Sequence, residues 1–172
     1  MATTAGGTPY VESSDLVADY PTVSLALAEH IDDLPAAVLQ VVRATDATDR
    51  TTTSTSFVDA SLSVTITPQK SDSAILLICA VQARRANANE FIYLQIADSS
   101  NNAVNGAEFA TMGSTATGAA NQNALQTILG RDTPATTSAT TYKLRFRSLN
   151  ANAVELANAD NTAQLYAIEV SA

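Results

Sequence analysis

Two different periodicities of apolar residues divide this chain into a short N-terminal part and a longer part that follows it. In the first part, apolar residues recur at alternating steps of four and three, which is the spacing of one face of an α-helix. Asp19 ahead of Pro21 is a helix-start signal, and Pro35 predicts the end of the helix. The stripe on this predicted helix consists of Tyr20, Ser24, Leu27, Ile31 and Leu34.

From residue 38 onward the period is two, which predicts β-strands. The clearest strand is Thr141–Leu149, in which Tyr142, Leu144 and Phe146 are expected to face inward between outward-facing basic residues. The final strand places Tyr166, Ile168 and Val170 on one face. The other predicted strands are Val38–Arg43, Leu62–Ile66, Ala74–Ala83, Glu90–Ala97, Ala124–Leu129, Val154–Leu156 and Gln164–Val170.

Three segments carry more specific expectations. Ala74–Ala83 is continuously apolar, which predicts a strand covered on both faces, either central in the fold or at a subunit contact. Thr51–Ser56 is a Thr/Ser run that fits either an exposed edge or a loop. Gly106–Asn121 is a low-complexity segment, which predicts a loop at one end of the domain.

About eight strands with no helix between them predict a mainly β protein. The expected fold is an antiparallel, jelly-roll-like β-sandwich, preceded by an N-terminal extended arm and one short helix. The expected organisation is an extended anchoring arm over residues 1–18, an amphipathic helix or stem over residues 19–35, and the β-sandwich over residues 36–172.

The charge of the chain limits its partners. Its net charge is −8, and residues 1–50 contribute −6 of it from eight acids and two bases. An acidic chain repels nucleic acid and anionic membranes, so we expect neither nucleic-acid binding nor membrane insertion. The acidic arm either docks on a basic surface or simply keeps this segment solvated.

The composition also favours association between copies. Charged residues make up 15% of the chain, which is low for a freely exposed globular surface and suggests that much of it faces other protein copies. Tyr20, Leu27, Ile31 and Leu34 are therefore candidates for an oligomeric stem shared by two or three parallel helices. Alternatively, this stripe packs on the β-domain of its own chain.

The residues that carry most enzymatic chemistry are few. One histidine and one cysteine cannot build a zinc site of the usual type, and Cys79 lies in an apolar run typical of a buried core. The acids Glu90, Glu108, Glu155 and Glu169 are separate along the chain, and no phosphate-binding loop or nucleophile elbow is present. We therefore expect no enzymatic activity, no catalytic residue, no cofactor and no metal.

One basic row stands out in this acidic chain. Lys143, Arg145 and Arg147 alternate along a predicted strand and should share a face. Three interpretations compete: an ordinary solvated face, a contact for the acidic arm of a neighbouring copy, and a contact for an anionic cell-surface polymer.

Two groups of segments resemble structural proteins of tailed bacteriophages. The first resembles the N-terminal module of small virion proteins and comprises Gly7–Val17, Tyr20-Pro21 and Leu25–Asp32. The second is similar to a β-sandwich of phage tail-fibre and head-decoration proteins and comprises Val38–Val42, Leu62–Pro68, Ser73–Leu76 and Asp132–Tyr142. The chain has no long fibrous shaft, so the resemblance favours a short fibre, a tail-tip piece or a capsid-surface spike over a long tail fibre.

The resemblance implies a non-enzymatic component of the virion surface, assembled in the host cytoplasm. It implies a homotrimer that binds other virion proteins through its N-terminal arm and exposes the sandwich to a host-surface glycan or protein. The anchoring candidates in the arm are Pro9, Tyr10, Val11, Asp15 and Leu16. A capsid decoration protein or head fibre is the first alternative, and a carbohydrate-binding module is the second.

Overall fold

The structure, a computed structural model, describes two short N-terminal strands, Leu25, and most of the chain after residue 37. The described residues are 2–3, 9–10, 25, 38–85, 87, 90–111 and 122–171. The chain divides into two units, Met1–Ala37 and Val38–Ala172.

In the first unit, strand β1 (Ala2–Thr3) pairs antiparallel with strand β2 (Pro9–Tyr10), so the predicted arm reverses direction between them. Leu25 has helical conformation and is exposed, and the rest of the predicted helix lies outside the described residues.

Ten strands form the described part of the second unit. They are β3 (Val38–Asp46), β4 (Arg50–Thr52), β5 (Val58–Ile66), β6 (Ala74–Arg85), β7 (Ile92–Asp98), β8 (Ala103–Thr111), β9 (Gln122–Asp132), β10 (Thr140–Ser148), β11 (Val154–Leu156) and β12 (Ala163–Val170).

These strands occupy eight positions in two antiparallel sheets. In the six-stranded sheet, β6 lies between β9 on one side and both β12 and β11 on the other, and β3 and β4 form the outer edge. Because β11 and β12 pair with successive stretches of β6, each of the pairs β11/β12 and β3/β4 acts as one interrupted strand. The four-stranded sheet has the order β5–β10–β7–β8.

If β3/β4 counts as strand 1, β5 to β10 as strands 2 to 7 and β11/β12 as strand 8, the six-stranded sheet has the order 1-8-3-6. The four-stranded sheet then has the order 2-7-4-5. This interleaving is the jelly-roll arrangement of two Greek keys. The prediction of a mainly β, antiparallel, jelly-roll-like sandwich of about eight strands is therefore confirmed.

The core lies between the two sheets and follows the predicted alternation. Tyr142, Leu144 and Phe146 of β10 are buried, as expected from the sequence. In β6 the inward face runs from Ile75 to Arg85 at every second residue, and all six of these residues are buried. Strand β12 turns Leu165, Ala167 and Glu169 inward, so Tyr166, Ile168 and Val170 lie on its outer face and are half-buried.

The prediction of a loop over Gly106–Asn121 was wrong for its first part, because residues 106–111 belong to β8; residues 112–121 lie outside the described residues. The register between β7 and β8 shifts between Gln95 and Ala97, and Gly106 has a φ of 76°. A bulge of this kind adds residues to one strand and interrupts its period-two pattern, which hides the strand in the sequence.

The predicted central position of Ala74–Ala83 is confirmed. In the single chain its outer face is only partly covered, with Leu76 36% exposed, so cover on both faces stays a prediction that requires the subunit contact. The Thr51–Ser56 run divides between the two alternatives: β4 ends at Thr52, and the following residues form a loop. Strand β9 extends over Gln122–Asp132, well beyond the predicted Ala124–Leu129.

Candidate interaction surfaces

The outer face of the six-stranded sheet carries most of the exposed apolar side chains of the described sandwich. Six large apolar residues of the described sandwich are at least 36% exposed. Val41, Leu76, Leu125 and Leu129 lie on this face, and Val38 pairs with Val170 at its end. We call this surface the apolar face. Its apolar members are Val41, Ala74, Leu76, Ile78, Ala80, Leu125, Leu129, Tyr166, Ile168 and Val170.

The strand register arranges these side chains in rows across the sheet. Ile168 pairs with both Val41 and Leu76, so three apolar residues lie side by side. The next row places Ile78 between Tyr166 and Leu129. Since residues paired across strands share a face, these two adjacent rows form one apolar surface. Beyond them, Ala80 lies between Gln164 and Thr127, and Leu125 pairs with Gln82.

The apolar face ends in a groove of about 290 Å³. It lies where β6 begins and β9 and β12 end, and it is lined by Asp72, Ala74, Leu76, Arg131, Val170 and Ser171. Asp72 and Arg131 place opposite charges beside its apolar wall. Arg43 also borders the apolar rows, with its guanidinium 6.0 Å from the centre of the Tyr166 ring.

Strand β9 adds an open edge to the apolar face. It pairs with β6 over all 11 of its residues without a register shift, and no other described strand pairs with it. The edge strand β5 of the other sheet instead carries a bulge, with Ser61 at a φ of 58°. A bulge hinders pairing with another chain, whereas a long regular edge favours it.

The basic row lies on the outer face of the four-stranded sheet and is largely engaged within it. Arg145 donates to the carbonyl oxygen of Phe57 at 2.8 Å, to Oε1 of Gln95 at 3.2 Å and to the carbonyl oxygen of Asn101 at 3.4 Å. Lys143 lies 3.9 Å from the carboxylate of Asp59. These contacts link three strands and a turn.

Arg147 completes the row by stacking on aromatic rings. Its guanidinium is 3.8 Å from the centre of the Tyr93 ring and 5.2 Å from that of Phe57. All three basic side chains are half-buried. Their contacts within the sheet give the row a structural role that the sequence did not indicate, and its role as a contact for another molecule stays a prediction.

Two buried carboxylates, Glu90 ahead of β7 and Glu169 in β12, are each enclosed by hydrogen-bond donors and not paired with each other. Oε1 of Glu90 accepts hydrogen bonds from the backbone N–H groups of Phe91, Leu149 and Asn150 and from the Ser148 hydroxyl, while Oε2 accepts from Asn152. Burial alone raises the pKa of Glu90, but these hydrogen bonds outweigh it and leave the pKa below its ordinary value.

Glu169 is held in the same manner near the start of β6. It accepts hydrogen bonds from the Gln40 side chain and from the backbone N–H groups of Gln69 and Lys70. Burial raises the pKa of Glu169, but these hydrogen bonds lower it by more, so that the net shift is downward. Both carboxylates therefore remain ionised and fix loops to strands.

The other reactive groups of the described residues offer no catalytic arrangement. Cys79 is fully buried, and burial raises the pKa of its thiol to about 12, so the nucleophilic thiolate is scarce at neutral pH. No cluster of three or more potential metal ligands occurs among the residues that the structure describes. Within the same residues, no helix is long and apolar enough to cross a membrane.

The structure describes only some of the anchoring candidates and none of the stem candidates. Pro9 and Tyr10 form β2, while Val11, Asp15 and Leu16 lie outside the described residues. The stem candidates Tyr20, Leu27, Ile31 and Leu34 also lie outside them. Both sets remain predictions.

Sequence reasoning missed the apolar face as one surface, although two signals for it were present. The apolar run of β6 and the apolar set Tyr166, Ile168 and Val170 each have too many apolar residues for strands with one solvated face. Only the pairing of β6 with β9 and β12 shows that these residues are neighbours.

No family model matches the chain, and no curated protein matches it either.

Proposed function

We propose that the chain is a non-enzymatic structural protein of a tailed-bacteriophage particle, a trimeric surface appendage of the short tail-fibre or tail-tip type. Its N-terminal arm anchors it to other virion proteins, and its sandwich contacts a host-surface glycan or protein. The observation that carries the proposal is a jelly-roll sandwich with one apolar and one polar outer face. Jelly rolls are a common building unit of viral shells, and an exposed apolar face indicates assembly.

The use of the buried acids supports a structural role. An acid–base site needs carboxylates that face a cleft and a substrate. Glu90 and Glu169 instead direct their oxygens at backbone N–H groups of loops. Their function in the described sandwich is to hold its ends in place.

The aromatic residues of the polar face do not favour the carbohydrate-binding alternative. Sugar-binding modules need aromatic faces that are free to stack on a sugar. The Tyr93 ring is already stacked on Arg147, and Phe57 lies 5.8 Å from Arg145.

The experiment that tests the proposal is a cryo-electron microscopy map of purified particles that carry the chain. We expect density for three copies at the tail end. Density at capsid lattice points would instead support the alternative of a decoration protein or head fibre. Mass spectrometry of phage particles purified from cells that produce the chain provides the control, because detection of the major capsid protein without this chain would contradict the proposal.

A further inference from the structure

We infer that the apolar face of the six-stranded sheet is the surface through which copies of this chain bind one another. The inference deepens the proposed function. The number of copies rests on that proposal, whereas the contact between copies is argued from the apolar face alone. Leu125 and Leu129 are 60% and 57% exposed, and Val41 on the opposite edge strand is 57% exposed. Exposed leucines and valines on one surface are unfavourable in water and are stabilised when a partner covers them.

The size of the face fits a contact between two folded copies. The whole outer face of the sheet, with four strand positions about 4.8 Å apart and up to 11 residues at about 3.3 Å each, covers roughly 700 Å², and the apolar face is its central and groove-side part. A stable interface of standard size buries about 800 Å² on each partner. The apolar face, extended by its rim, is therefore large enough to hold a second copy without a further binding site.

The face also supplies both halves of a contact. Leu125 and Leu129 protrude along β9, and the concave groove beside Leu76 begins one row further along the sheet from Leu129. A protrusion and a groove on one surface allow head-to-tail contacts, which close into rings when the rotation between copies permits. Asp72 and Arg131 at the groove can pair with opposite charges of the adjacent copy.

Charge favours this face over the rest of the surface. The chain carries a net charge of −8, so two copies repel each other over most orientations. The ionic side chains that border the apolar rows on the outer strands are Arg43 and Arg131. With Asp72 of the groove, the border of this face holds two cations and one anion, so the face carries little of the negative charge that makes the acidic copies repel each other.

The test compares two full-length variants that each gain one positive charge. Leu129→Lys places a charge in the apolar face, and Ser63→Lys places one on the exposed outer face of the other sheet. Sedimentation velocity over a wide concentration range measures the association of each. We expect the wild type and Ser63→Lys to associate alike, and Leu129→Lys to raise the dissociation constant by at least roughly thirtyfold. Circular dichroism confirms that both variants are folded.

Three outcomes would overturn the inference. A monomeric wild type would mean that another protein or the chain's own N-terminal segment covers the face. Equal association of Leu129→Lys and the wild type would remove the face from the interface. Association that is insensitive to Leu129→Lys but lost in Leu27→Asp would assign it to the predicted helix stripe. A different result would separate the two proposals. If Leu129→Lys disrupts the oligomer but the chain is absent from phage particles, the interface is supported and only the proposed function is refuted.

Discussion

A buried carboxylate without a cation is stable when enough hydrogen-bond donors surround it, and Glu90 meets this condition. Five donors from two segments of the chain converge on its two oxygens. Three of them are backbone N–H groups, and that of Leu149 also donates to the carbonyl oxygen of Phe91 at 3.1 Å. The residue therefore closes one end of the sandwich.

We predict that Glu90→Gln lowers the free energy of unfolding by about 1–3 kcal/mol. The substitution removes the negative charge that strengthens the hydrogen bonds, and its amide group can meet the Asn152 amide donor unfavourably. Urea unfolding at neutral pH measures the change. Glu108→Gln is the matched control, since Glu108 is exposed and accepts one side-chain hydrogen bond, from Gln95. Equal effects of the two substitutions would contradict the role of Glu90.

Two glycines of the sandwich are required for different reasons. A Cβ atom on Gly130 would lie 2.8 Å from Cβ of Ala107 and 3.2 Å from Cγ1 of Val104, where β9 approaches β8. Gly106 has open space around it but a φ of 76°. The first position needs the absence of a side chain, and the second needs conformational freedom.

We predict that Gly130→Ala destabilises the fold by about 1–3 kcal/mol, because the two sheets must separate locally to admit the methyl group. Gly106→Ala should cost about 1 kcal/mol, from backbone strain alone. Enlarging the side chain separates the two causes: Gly130→Val should be clearly worse than Gly130→Ala, while Gly106→Ser should match Gly106→Ala. Thermal unfolding followed by circular dichroism provides the comparison, and similar behaviour at both sites would rule out the steric explanation.

At the scale of elements, strand β10 ties the four-stranded sheet to its loops through its outward basic row. Arg145 joins the loop that ends at Phe57 to β7 and to the turn at Asn101. Lys143 has a weaker set of contacts, at 3.9 Å from Asp59 and 3.4 Å from the carbonyl oxygen of Ser99.

We therefore predict that Arg145→Met destabilises the protein by about 1–3 kcal/mol, because methionine keeps the apolar stem and loses the charged hydrogen bonds. Lys143→Met, one step along the same row, should cost less than about 1 kcal/mol. Chemical unfolding of the two variants measures both values. A larger loss from Lys143→Met would show that the row is organised differently from its observed contacts.

The predictability of each element depended on how regular it is. The regular alternation of β10 predicted its buried and exposed faces correctly. The bulge at Gly106 concealed β8, since its register shift breaks the pattern that identifies a strand. Glu90 was noted as an isolated acid, and no local pattern indicates that its donors come from residues about 60 positions later.

The candidate interface was predictable only as a tendency. The apolar run in β6 indicated either a central strand or a subunit contact, and the structure shows the central position with a half-exposed outer side. Leu125 and Leu129 gave no signal of their own, because isolated exposed leucines are common. That they lie on the same outer face as β6 follows from their cross-strand pairing with Gln82 and Ile78, which a single sequence does not specify.

At the scale of the whole molecule, ionised buried groups make stability depend on pH in a defined direction. The pKa values of Glu90 and Glu169 lie below the ordinary value of 4.5, and that of Asp46 lies below 3.8. For Asp46, burial raises the pKa, while hydrogen bonds from Arg50, Thr48 and Asn158 lower it more. The pKa of Cys79 is raised from 9.0 to about 12 by burial.

The sign follows from which state binds more protons. Below pH 4.5 the unfolded chain takes up protons that the folded chain refuses, so the stabilisation by these carboxylates, present above that pH, is lost as the pH falls through their folded-state pKa values. Above pH 9 the unfolded chain ionises Cys79 while the folded chain does not, so stability also falls on the alkaline side.

We therefore predict a plateau of unfolding free energy between about pH 5 and 9, with a decline on either side. Urea unfolding across this range measures the profile. The double variant Glu90→Gln/Glu169→Gln should be less stable at neutral pH yet decline less steeply in acid, because two of the groups that take up protons on unfolding are gone. Cys79→Ala should make the alkaline decline begin later and fall less steeply, and leave the acid limb unchanged; the remaining decline belongs to Tyr142, whose pKa is raised by burial and by its hydrogen bond with Asp132. An equally steep acid decline in the double variant would show that other carboxylates cause the acid sensitivity and that Glu90 and Glu169 do not contribute to it.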